Sequence, residues 1–135
     1  MKKNKKVFIL LIPIIIVIVS AFVLNINKSE TGLSKEEIIK RFEDNKEIFN
    51  EIQAYEGDYS GEGYFDKLSQ YQKISNGHGV SRADDMIWFV LESENGFIEK
   101  GIVYIKSDIL PEVPKGMGEC SRIEKNWFYY VKSYT

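Results

Sequence analysis

Eighteen consecutive residues, Val7 to Leu24 (VFILLIPIIIVIVSAFVL), carry no charge, and Lys2, Lys3, Lys5 and Lys6 stand directly in front of them. As a helix the run spans about 27 Å against a hydrocarbon core of about 30 Å, which makes it a transmembrane span. Pro13 inside it costs a kink and no more, because neighbouring groups re-satisfy the backbone it frees. Four lysines precede the span and only Lys28 follows it closely, so the N-terminus belongs in the cytoplasm and the remainder outside. The alternative is a secretory signal removed after Val19-Ser20-Ala21, which would leave a secreted domain. Against removal, the apolar run continues through Phe22, Val23 and Leu24, past the roughly 7 to 15 residues that a signal core needs. The reading adopted is an uncleaved signal-anchor. The chain then divides into a basic cytoplasmic start at 1–6, the anchor at 7–24, a polar linker at 25–32 and an extracytoplasmic domain at 33–135.

All twenty acidic residues lie beyond the span against fourteen of the eighteen basic ones, so the outer part carries a net charge of −6. Nucleic acid and anionic membrane surfaces are repelled by such a domain and are not expected as partners. The single cysteine, Cys120, excludes an internal disulfide, and the fold must rest on its own core. About a hundred residues suffice for one such core and not for two.

The domain opens with a helix. Ser34 and Glu37 form a capping box, Leu33 and Ile38 a hydrophobic staple, and Ile38, Phe42, Phe49 and Ile52 recur on one face, predicting one amphipathic helix from Ser34 to about Tyr55. Glu56 to Gly63 is turn-rich. Phe65 to Ser75 reads either as a short helix or as a first strand, and Asn76 to Gly79 as a turn. Met86 to Leu91 and Phe97 to Lys106 flank Asn95-Gly96, the preferred pair for a type I′ hairpin turn. The first of these strands alternates poorly and is expected to be central and covered on both faces. Ser107 to Gly118, with Pro111 and Pro114, is a loop, and a second hairpin runs through Glu119 to Ile123 and Asn126 to Tyr134. The expected fold class is α+β, a long helix packed on an antiparallel sheet of about four strands.

Few residues combine into a recognisable chemistry. Asp58, Ser60, Glu62 and Asp66 occupy positions one, three, five and nine of a calcium loop with Gly63 at six, but Ser69 stands where a closing glutamate belongs, so they make only a weak metal candidate. His78, the only histidine, lies near Asp84 and Asp85 in sequence. A hydrolytic enzyme built on them would need a fixed geometry that neighbours in a turn rarely supply. Cys120 has no cationic neighbour to activate it, and Glu119 beside it opposes the thiolate. No catalytic set and no cofactor site is assigned. The aromatic end, Trp127, Phe128, Tyr129 and Tyr130, serves either as core or as an exposed partner-binding patch.

The basic start and single span, the helix with spaced Phe and Ile, the Gly-Ile-Val-Tyr strand (Gly101 to Tyr104) and the closing stretch from Arg122 to Tyr130 resemble uncharacterised small membrane-anchored or secreted proteins of low-GC Gram-positive bacteria. The resemblance implies a layout and no activity. The expectation for function is a non-enzymatic interaction module held at the cell membrane by Val7 to Leu24. Its partner would be an envelope or extracellular protein, as for a tethered immunity or exclusion protein. The alternatives are a small hydrolase-like enzyme using His78, a weak calcium-binding domain, and a domain released by signal cleavage.

Overall fold

Helix formation begins where the cap residues place it. In the computed structural model, which describes residues 32–110 and 117–134, the Ser34 hydroxyl accepts the Glu37 N–H at 3.2 Å and the Glu37 carboxylate accepts the Ser34 N–H at 2.8 Å. This reciprocal pair starts helix α1, Lys35–Asp44. Leu33 and Ile38 join the same core cluster.

The single long helix expected from Ser34 to Tyr55 is instead two, because α1 ends at Asn45 and α2, Lys46–Gln53, follows it. Asn45 takes φ −125°, its side-chain amide donates to the Arg41 carbonyl at 2.9 Å and its N–H to the Phe42 carbonyl at 3.2 Å. An asparagine side chain competing for helix carbonyls is a local reason for a break that apolar periodicity does not register. The open choice at Phe65 to Ser75 resolves as helix: α3 spans Glu62–Ile74. The Arg41 guanidinium donates to its Ile74 carbonyl at 3.1 Å, and Lys67 pairs with Glu51 of α2 at 2.6 Å.

The sheet has five antiparallel strands where about four were expected: β1 Val80–Ala83, β2 Met86–Glu94, β3 Ile98–Ile105, β4 Met117–Glu124 and β5 Trp127–Ser133. Their order is β1-β2-β3-β5-β4. The additional strand is the four-residue β1, too short and too polar to stand out as a pattern. Asn95 (φ 51°) and Gly96 (φ 73°) take the left-handed angles of a type I′ turn between β2 and β3, closed by the Phe97 N–H on the Glu94 carbonyl at 3.0 Å. After β3 the chain passes to the far edge for β4 and returns as β5 inside it. Strand β2 is interior but not central. Ile87, Phe89 and Leu91 are buried on one face while Met86, Trp88 and Val90 are half-buried on the other.

The main core lies between the helices and one sheet face. Phe49 of α2 is its hub, with ring centroids 5.1 Å from Phe42, 5.0 Å from Phe89, 5.5 Å from Tyr71 and 6.2 Å from Trp127. Ion pairs from Lys35 and Lys46 to Glu119 and Glu124 tie the helices to β4. A smaller cluster, Val103, Ile105, Phe128 and Tyr130, lies on the opposite face with Met86, Trp88 and Cys120 against it.

A bulge between Val90 and Glu92 interrupts the β2–β3 ladder. The fully buried Tyr71 of α3 donates its hydroxyl to the Val90 carbonyl there. The Glu92 carboxylate accepts the Leu33 N–H at 2.7 Å, fastening the start of the domain to the sheet, with Lys100 at 3.5 Å. Gly101 is obligatory on steric grounds: a Cβ there would lie 2.0 Å from the Phe89 carbonyl oxygen. Leu33–Thr135 forms one compact unit. No helix among the described residues is long and apolar enough to cross a membrane, and the expected span Val7 to Leu24 lies outside them.

Candidate binding cleft

The segment after α2 is rich in glycine and acid, yet hydrogen bonds hold it in one shape. The Asp58 carboxylate accepts the Ser60 N–H at 2.8 Å and the Ser60 hydroxyl at 2.7 Å. These bonds hold its carboxyl below the usual carboxylate range. The Tyr59 hydroxyl donates to the Tyr55 carbonyl at 3.0 Å, and the Gly61 N–H to the Asp58 carbonyl at 3.0 Å, just before α3 begins. The result is a cluster of three tyrosine rings, Tyr55, Tyr59 and Tyr64, with centroids 5.1 to 5.8 Å apart.

Arg82 of β1 reaches across to this cluster. Its guanidinium carbon lies 4.6 Å from the Tyr59 centroid, one terminal nitrogen donates to the Ile52 carbonyl at the end of α2, and its Nε is buried without a partner among the described residues. Beyond Arg82 the strand turns through Asp84, at φ 53°, and Asp85, whose carbonyl accepts the Lys106 N–H at 2.9 Å. The Ser107 hydroxyl bonded to the Asp85 carboxylate holds that group low. Between Tyr55 and Tyr59 on one side and Asp84, Asp85, Tyr104 and Lys106 on the other lies a cleft of about 370 Å³, within the range of binding pockets. A stacked guanidinium, an aromatic wall and fixed charges of both signs suit recognition of a polar chain. A carboxylate held low is a poor general base at neutral pH.

The residues singled out from the sequence do not converge here. Asp58 is engaged by Ser60, while Glu62 and Asp66 belong to α3. Among the described residues no three His, Cys, Asp or Glu side chains gather as a metal site would require. His78 and the Asp84-Asp85 pair stand at opposite ends of β1, about 13 Å of strand apart, and line different grooves. Burial and the neighbouring Glu119 push the Cys120 thiol up, away from nucleophilic reactivity. Trp127, Phe128, Tyr129 and Tyr130 are 4, 0, 3 and 0% exposed. Of the two readings of that strand, the structure shows core, since β5 lies between β3 and β4 and its alternate side chains enter the two apolar clusters.

The cleft residues Tyr59 and Arg82 drew no attention in the sequence. The available signal was three tyrosines spaced four and five apart in a turn-rich stretch; their partner Arg82 stands eighteen or more residues away. Comparison with family models, with curated proteins and with solved structures finds no match.

Proposed function

We propose that the chain is a membrane-tethered, non-enzymatic binding module, held outside the cell by Val7 to Leu24, that grips an envelope or extracellular protein through the Tyr59–Arg82 cleft. The observation carrying this reading is the pre-set guanidinium. Stacking on Tyr59 and the bond to Ile52 fix Arg82 before any partner arrives, so little side-chain entropy remains to be lost on binding. Arginine and tyrosine are also the residue types that dominate energetically at protein interfaces. The acidic balance of the outer part favours a basic partner, with Asp84 and Asp85 as the contacts for its cations.

The test is site-specific photocrosslinking. With a benzophenone amino acid in place of Tyr59 in producing cells, illumination should give one discrete adduct that Arg82→Ala removes while the protein still accumulates. A protein present at normal level with no adduct, or an adduct indifferent to Arg82, refutes the reading.

A further inference from the structure

Successive side chains of β1 part to opposite faces of the sheet, Arg82 to the cleft and Ser81 to a separate groove of about 430 Å³. We infer that this groove is a binding site for a neutral pyranose ring, as in a glycan, seated against Trp88. The inference is independent of the proposed protein partner and concerns the other face.

The groove is bounded by His78, Ser81, Trp88, Glu99, Lys132 and Tyr134. Its one large apolar surface is Trp88, half-buried, with its ring 4.8 Å from that of Tyr130 at 88°. Lys132 holds its ammonium 5.4 Å from the Trp88 centroid and 4.7 Å from that of Tyr134. The Tyr134 hydroxyl donates to Glu99 at 2.7 Å.

Beneath them is an unpaid polar group. Tyr130 is fully buried, and its hydroxyl has no hydrogen-bond partner among the described residues. Burial, and after it the nearby Glu99 carboxylate of the groove, push the pKa of this hydroxyl up. The register puts Tyr130 opposite Gly101 and Lys132 opposite Glu99 on the same face. An orphaned buried hydroxyl destabilises the fold, and a sugar hydroxyl reaching it would supply the missing partner.

The chemistry of the walls selects the ligand. One acid and one lysine leave the groove near neutral, so a polyanion or polycation gains nothing there. An indole beside serine, carboxylate and phenol groups matches a ring with an apolar C–H face and hydroxyls at its edge.

The experiment uses the full chain in a sugar-free zwitterionic detergent, titrated with tri-N-acetylchitotriose and with maltotriose while the heat of binding is followed by isothermal titration calorimetry. At least one should give a saturable change. Trp88→Phe should abolish it in a protein that still unfolds cooperatively, and Tyr130→Phe should weaken binding by roughly fivefold, the worth of one hydrogen bond. Glu99→Gln, at the half-buried rim, keeps the size of the side chain and should also weaken binding. Neither sugar giving a saturable change up to 10 mM, or binding unaffected by all three substitutions, overturns the proposal.

Discussion

The same substitution, tyrosine to phenylalanine, should have opposite effects at two buried positions of this domain. At Tyr71 the hydroxyl donates to the Val90 carbonyl at the β2 bulge, where the ladder is irregular. Phenylalanine keeps the ring contacts with Phe49 and Phe89 and removes only the bond. Losing one buried hydrogen bond and stranding its carbonyl costs about 1–2 kcal/mol. In a domain of this size that is a fall of roughly 4–8 °C in Tm per kcal/mol. At Tyr130 the hydroxyl has no partner among the described residues, and deleting it should be neutral or stabilising by about 1 kcal/mol. Urea unfolding of the full chain in detergent, followed by tryptophan emission, reads this domain alone, because both tryptophans, Trp88 and Trp127, lie in its sheet. The expected result is a midpoint lowered by Tyr71→Phe and held or raised by Tyr130→Phe, at unchanged slope. Equal losses at the two positions would refute the assignment of partners, and no change at Tyr71 would show that the bulge bond contributes nothing.

Gly101→Ala forces a Cβ against the Phe89 carbonyl and should cost about 3 kcal/mol or more, seen as loss of the cooperative unfolding transition. Ser34→Ala removes one half of the capping box and should cost about 1 kcal/mol in the same assay. Stability should be flat between about pH 5 and 8 and fall on both sides, the alkaline fall beginning with the Cys120 thiol, which burial holds above its ordinary value of about 8.5. The folded carboxyls of Glu37, Asp58, Asp85 and Asp108 are held low by hydrogen bonds, so what they contribute is present above about pH 4 and lost as pH falls through their folded values. The hydrogen-bonded and ion-paired Lys35, Lys40 and Lys100 and the desolvated Tyr71 and Tyr130 are raised. Their contribution is complete below about pH 10 and lost as pH rises through the folded values. A urea midpoint that shifts between pH 5 and 8 would contradict this assignment.

The parts of the fold that were legible in the sequence are those set by neighbours along the chain. Ser34 with Glu37, and Asn95 with Gly96, each carry a complete local instruction and appear as read. Asn45 also acts locally, but apolar spacing from Phe42 to Phe49 runs straight through it and hides the break. Strand β1 is invisible because four residues with two polar side chains make no period, and it is defined by its pairing with β2. The cleft was the least legible feature. Tyr59 gains its meaning from Arg82, which only the fold brings to its ring.

The position of β5 explains where binding chemistry is left over. A strand between β3 and β4 has neighbours on both sides and an apolar cluster on both faces, so its four consecutive aromatics are used by the core. Of the aromatics left accessible, the more exposed Phe65 and Phe97 belong to neither site, and the two sites use Tyr59 at 46% in the turn before α3, Tyr134 at 44% beyond the end of β5, and the half-buried Trp88. Each is held by a rigid element yet lies where that element ends or faces away from the helices. Occupancy of either site stabilises the folded state by mass action, about 2.7 kcal/mol at a hundred times Kd. Tyr130→Phe then separates two quantities that usually move together, since it should hold or raise the intrinsic stability while reducing the increment a saccharide adds. A variant that lowered both would mean that the Tyr130 hydroxyl is a structural bond and not a reserved one.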